Sequence, residues 1–127
     1  MDRVRKERPE IEVTGFDVVN KASYEDLRVV TGSAEALPFD DKSFDVVACS
    51  HTLEHLLEPS RAVAELKRVA SKVLYVAVPC QRYYFYTLDE HVNFYPQKEN
   101  LLSELGIFDA ECRKIRGDWL LRADLGQ

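Results

Sequence analysis

The residues best suited to chemistry in this 127-residue chain fall into a few short clusters. His51-Thr-Leu-Glu-His55 has the spacing H-x-x-E-H. On a helix that spacing puts two imidazoles on one face with a carboxylate beside them, the inverted form of a zinc-protease pattern, and His91 could supply a third ligand. Two features speak against a metal. The motif starts directly after a strand-like run, and Pro59 shortens any helix it could form, so no metal ligands are assigned. A second cluster is aromatic: Tyr83-Tyr-Phe-Tyr86 with Phe94 and Tyr95. It can line a cleft, pack as a lid, or form a protein contact surface if exposed. The cysteines Cys49, Cys80 and Cys112 are odd in number and far apart, with no C-x-x-C, and read as reduced thiols of a cytoplasmic protein.

The elements that must position these residues are short and alternate in type. Ile11–Phe16 alternates and is β-branched, which predicts a strand ending at Asp17. Ser23–Leu27 could make a short helix, and Leu27–Val30 a short strand stopped by Gly32. Leu37–Lys42 is turn chemistry around Pro38 and two aspartates. Phe44–Cys49 is mostly apolar, as expected of a strand covered on both faces. From Pro59 the period becomes 3.6: Ala62, Val63, Leu66 and Val69 share one helical face. Ser60 could cap that helix, or Pro59 could open its first turn. Val73–Val78 predicts another buried strand. Gln81–Tyr95 is irregular, and Leu101, Leu102 and Leu105 mark a helix that Gly106 ends. Glu111–Arg116 and Trp119–Asp124 around Gly117-Asp118 predict an antiparallel hairpin.

This order implies one α/β domain over 1–127, its sheet mainly parallel with a terminal antiparallel hairpin. Such sheets hold ligands at the carboxyl ends of their strands. The positions to watch are therefore Asp17–Val19, Gly32–Glu35, Ser50–Leu53 and Pro79–Arg82. The net charge of -5 argues against a nucleic-acid partner, and the basic start Met1–Arg8, interleaved with acids, reads as a solvated helix face rather than a nucleic-acid patch. Apolar runs fall far short of the ~20 residues of a membrane span, and the charged start is no signal peptide. No dinucleotide fingerprint or phosphate loop is present.

Those strand ends also carry a resemblance. Thr14-Gly-Phe-Asp-Val18, Gly32-Ser-Ala-Glu-Ala-Leu-Pro-Phe39, Asp41-Lys-Ser-Phe-Asp-Val-Val47, Leu53-Glu-His-Leu56 and Glu90-His-Val-Asn-Phe-Tyr95 occur in the order and spacing of class I S-adenosylmethionine-dependent methyltransferases. The resemblance runs from about residue 11 to the end. It implies a Rossmann-like sheet with S-adenosylmethionine as cofactor. Asp17 would accept from the ribose hydroxyls. Ser33, where the family usually has an acid, and the backbone N–H of Ala34 would face the adenine. Ser50 and His51 would line the cofactor cleft. His91 would be the base or acceptor contact, with Tyr84 or Tyr86 supplying hydroxyls. The acceptor is unspecified.

One element of the family is not found. The five glycines include no two separated by a single residue, so there is no G-x-G. Glycine at that loop lets backbone approach the amino-acid end of the cofactor. The resemblance therefore predicts a sheet missing the family's first strand and helix, and weak or absent cofactor binding by this chain alone. It also predicts compensation at the exposed strand edges, by a homodimer or by a separate N-terminal fragment. A catalytically inactive homologue acting as a self-associating interaction module is the alternative reading.

Overall fold

The computed structural model describes residues 7–17, 28–80, 93–107 and 110–125. The expected helix at Ser23–Leu27, the tyrosines Tyr83–Tyr86 and His91 lie outside them. The chain forms two compact units, Met1–Pro38 and Phe39–Gln127.

The first unit is built on a parallel pair, β1 (Thr14–Asp17) and β2 (Arg28–Thr31), with Gly15 opposite Val29 and Phe16 opposite Val30. The strand begins later than the alternation from Ile11 predicts. Ile11 donates its N–H to the Arg8 carbonyl at 3.0 Å. That closes a turn around Pro9, whose fixed φ suits a turn and not a strand interior.

The second unit holds a four-stranded mixed sheet of β3 (Phe44–Ser50), β4 (Ala70–Pro79), β5 (Glu111–Ile115) and β6 (Asp118–Asp124), in the order β3-β4-β6-β5. β3 and β4 run parallel; β6 is antiparallel to both β4 and β5. The strands expected near 11–17, 44–49 and 73–78 all exist, but β1 belongs to its own two-stranded sheet.

Two helices cover one face of the larger sheet's core. Helix α1 (Pro59–Val69) buries Ala62, Val63, Leu66 and Val69, and α2 (Lys98–Leu105) buries Leu101, Leu102 and Leu105. They meet Leu74, Val76 and Val78 of β4 and Leu121 and Ala123 of β6, all buried. Pro59 opens α1 after Glu58, so Ser60 is not the cap. Its missing N–H costs nothing in a first turn. α1 passes into β4 at Ala70 with no loop between, which is why β4 starts before Val73. Its C-terminal end is tied down instead by the 39–42 turn. Lys42 donates its N–H to the Arg68 carbonyl at 2.7 Å, and the Arg68 guanidinium donates to the Phe39 carbonyl and to Asp41 and Glu65.

α2 starts a turn earlier than its leucines show, because Gln97 and Asn100 form a reciprocal capping box. Gly106 ends it in the left-handed conformation at φ 65°, as expected. The hairpin turn sits one residue before the expected Gly117-Asp118. Arg116 (φ 51°) and Gly117 (φ 83°) are its two central residues, and Ile115 pairs with Asp118. Two positive φ values match the right-handed twist of a two-residue hairpin. A Cβ on Gly117 would meet nothing within 4 Å. Gly117→Ala should therefore cost about 1 kcal/mol by backbone strain alone, read as a lower urea midpoint at an unchanged m-value.

β3 departs from the expectation of cover on both faces. Val46 is 54% exposed, and Ala48 and Ser50 are exposed. An apolar run specifies a strand; it does not say that both faces are covered. Among the described residues, no helix is long and apolar enough to cross a membrane.

Candidate functional site

In the first unit, a backbone bond brings two of the expected site segments together. Gly32, just past the end of β2, donates its N–H to the Asp17 carbonyl at 3.2 Å. The chain then turns: Ala36 donates to the Ser33 carbonyl at 3.1 Å, and Ser33 bridges to Ala36. The Ser33 hydroxyl accepts from the Glu35 N–H at 3.1 Å, so it staples its own turn. One lone pair and its proton remain for another partner. Ala34 is half-buried within this turn. Asp17, Ser33 and Ala34 thus lie at neighbouring carboxyl ends of two parallel strands, where α/β sheets take ligands.

In the second unit, Ser50 ends β3 and His51 follows it. His51 donates its N–H to the Ala77 carbonyl at 2.9 Å and holds φ at 51°. That left-handed turn swings the chain out of the strand, a conformation His tolerates better than most residues. His51 Nε2 lies 3.0 Å from Asp118 Oδ2, and Nδ1 lies 3.9 Å from Glu54 Oε2. Both ring nitrogens thus face carboxylate oxygens. The imidazole is half-exposed while Glu54 is buried. Burial pushes the nearby Cys49 thiol up, a Thr52 hydrogen bond works against that, and the Glu54 charge adds to it.

Residues 93–97 brace this rim. Asn93 donates its N–H to the Glu54 carbonyl at 2.9 Å, and its amide donates to the carbonyls of Leu53 and Leu56 at 2.8 and 2.5 Å. Trp119 Nε1 donates to the Tyr95 carbonyl at 2.8 Å, and Cys80 donates its N–H to the Gly117 carbonyl at 2.7 Å. Tyr95 is itself buried; that burial first, and Glu104 second, push its hydroxyl well above the usual tyrosine range.

The zinc geometry drawn from H-x-x-E-H is absent here. Leu53–His55 is a single 3-10 turn that leaves His51 outside it. His51 and His55 therefore do not share a helix face. Asp118 and Asn93, the residues that organise the rim, were not picked out by sequence. Each reaches a partner far away in the chain, and no local spacing signals that.

A family model described as a methyltransferase domain matches residues 5–75, more than half of the chain. The chain belongs to this methyltransferase-domain family. A demethylmenaquinone methyltransferase of Renibacterium salmoninarum is 45% identical over 55 residues, which are 43% of this chain and 23% of that protein. The chain thus aligns with under a quarter of that relative's length. Among solved structures, a Pyrococcus horikoshii protein superposes with a TM-score of 0.70 at 18% identity, over 94% of this chain and 74% of its own. PigF, solved with SAH, gives 0.68 at 14% identity, over 97% and 46%. At these identities the structural matches show the fold, which is the Rossmann-like methyltransferase fold.

Proposed function

We propose that this methyltransferase-family chain carries the nucleoside side of an S-adenosylmethionine site and serves methyl transfer to an acceptor not specified by its residues. The observation that carries the reading is the Gly32 to Asp17 backbone bond, which sets the Ser33–Ala36 turn beside the acid at the end of β1. The residues fit a nucleoside. Asp17 would hold the ribose hydroxyls, and the Ala34 N–H and Ser33 hydroxyl would meet the purine edge. By the family resemblance alone, Ser50 and His51 would line the cofactor cleft, and His91 would be the base or acceptor contact. When bound, the cofactor would supply a methyl group on a sulfonium, open to in-line displacement. The protein's part is then mostly to hold the acceptor in place. Three free thiols accord with a cytoplasmic setting.

Two features weaken the grip. No G-x-G occurs in the chain, and Ser33 offers a neutral hydroxyl where a carboxylate would make a stronger, charge-assisted bond. Calorimetry with S-adenosylhomocysteine should accordingly give a dissociation constant of roughly 100 μM or weaker for this chain. Asp17→Ala should weaken it at least ~10-fold further, the order of one charge-assisted pair. Tight micromolar binding would mean that the loop has been overrated. Binding indifferent to Asp17→Ala would remove the nucleoside reading itself.

A further inference from the structure

The turn after β2 fixes which hydrogen bonds a purine edge can find there. Most of its backbone donors are already engaged. The Gly32 N–H bonds the Asp17 carbonyl, the Glu35 N–H bonds the Ser33 hydroxyl, and the Ala36 N–H bonds the Ser33 carbonyl. The Ala34 N–H has no partner among the described residues. A half-buried amide left unbonded is costly, so water or a ligand has to take it. Beside it, the Ser33 hydroxyl has accepted one bond and keeps one lone pair and its proton. It is neutral and it can rotate, so it serves a donor as readily as an acceptor.

We infer that this chain reads a purine at N1, through the Ala34 N–H, and leaves position 6 unselected. Its ligands are then purine nucleosides with an unprotonated N1, whatever stands at position 6. The inference rests on the nucleoside reading above and narrows it. Adenine offers an acceptor at N1, which suits the Ala34 N–H. Its 6-amine meets a neutral hydroxyl, which exchanges one ordinary bond to water for another and gains little. Purine riboside keeps the N1 acceptor and carries only hydrogen at position 6, so it gives up that small gain and nothing else. Inosine differs at N1. Its 6-oxygen is served by the Ser33 proton, but its N1–H points at the Ala34 N–H, and neither donor then has an acceptor. Whatever inosine loses is therefore lost at N1.

Amide chemical-shift titrations of the isotope-labelled full chain with adenosine, purine riboside and inosine, carried to millimolar concentration, are the test. Purine riboside should bind within about 10-fold of adenosine, the limit for one neutral hydrogen bond, and both should move the Ala34 amide signal. Inosine should bind at least ~10-fold more weakly than purine riboside, the scale of two opposed donors. Ser33→Asp keeps a side-chain acceptor for the Glu35 N–H and puts a charge at position 6. It should raise the preference for adenosine over purine riboside by roughly 10-fold beyond wild type, with the purine riboside affinity little changed.

A wild-type chain that prefers adenosine to purine riboside by more than ~10-fold has a charged acceptor at the amine, Glu35 being the acid nearest in sequence. That result overturns the inference and leaves the nucleoside reading standing. Equal binding of inosine and purine riboside also overturns it, because N1 is then unread. If none of the three nucleosides binds, the nucleoside reading fails and takes the inference with it.

Discussion

Leu74→Ala should cost this protein about 3–4 kcal/mol of unfolding free energy, the range of a fully enclosed leucine truncated to alanine. Leu74 is 0% exposed on β4, the strand that joins the parallel pair to the hairpin. Its register partners are Val47 on β3 and Ala123 on β6. β4 packs on α1, whose Ala62, Val63, Leu66 and Val69 are all buried. Neighbours held by sheet hydrogen bonds on two sides collapse poorly into a new void, which puts the loss in the upper part of the range. Small domains have only about 5–15 kcal/mol to lose, so the variant should unfold at a much lower urea concentration with the same m-value. Leu57→Ala is the control, because Leu57 is 87% exposed. It should change stability by less than about 0.5 kcal/mol. Near-equal midpoints for the two variants would mean that the core does not lie between α1 and β4.

The same core shows what the sequence made legible. Runs of β-branched and apolar residues at 44–49 and 73–78 announced β3 and β4, and the 3.6 period announced α1, because each pattern reports a local periodicity. Asp17, Ser33, Ser50 and His51 were found as strand-end residues by the same logic. Three things escaped. The exposure of Val46 depends on what lies against the sheet, and an apolar strand reads the same with one face covered or two. The direct passage from Val69 to Ala70 left no turn residue to mark the boundary. Asp118 was placed in a turn, yet it pairs with β4 at Pro79 and reaches His51 from 67 residues away. A hydrogen bond of that span is set by strand order, and strand order is not written in local spacing. The resemblance to methyltransferases narrowed the fold for this reason, since a family carries topology that periodicity cannot.

Asn93→Asp should be the most damaging change of a single polar atom, at about 2–4 kcal/mol. The Asn93 amide group donates to two carbonyls, Leu53 at 2.8 Å and Leu56 at 2.5 Å, while its backbone N–H donates to Glu54. Three bonds from one residue hold the 53–56 turn, which Thr52 joins to His51. An aspartate of the same shape replaces the donor with an oxygen. That oxygen would face two carbonyl oxygens in a half-buried place. Both donated bonds become repulsions, and the new charge keeps only part of its water shell to soften them. Asn93→Ala is the milder comparison. It loses the two bonds and strands the carbonyls, but adds no charge, so it should cost about 1–3 kcal/mol. The order of the two variants tests the assignment more sharply than either value. If the aspartate were tolerated as well as the alanine, the amide would not be the donor that the geometry shows. Lowering the pH should distinguish them further. Protonating the new carboxyl removes its charge and restores a donor, so the aspartate variant should regain stability under acid relative to wild type, whereas the alanine variant should not.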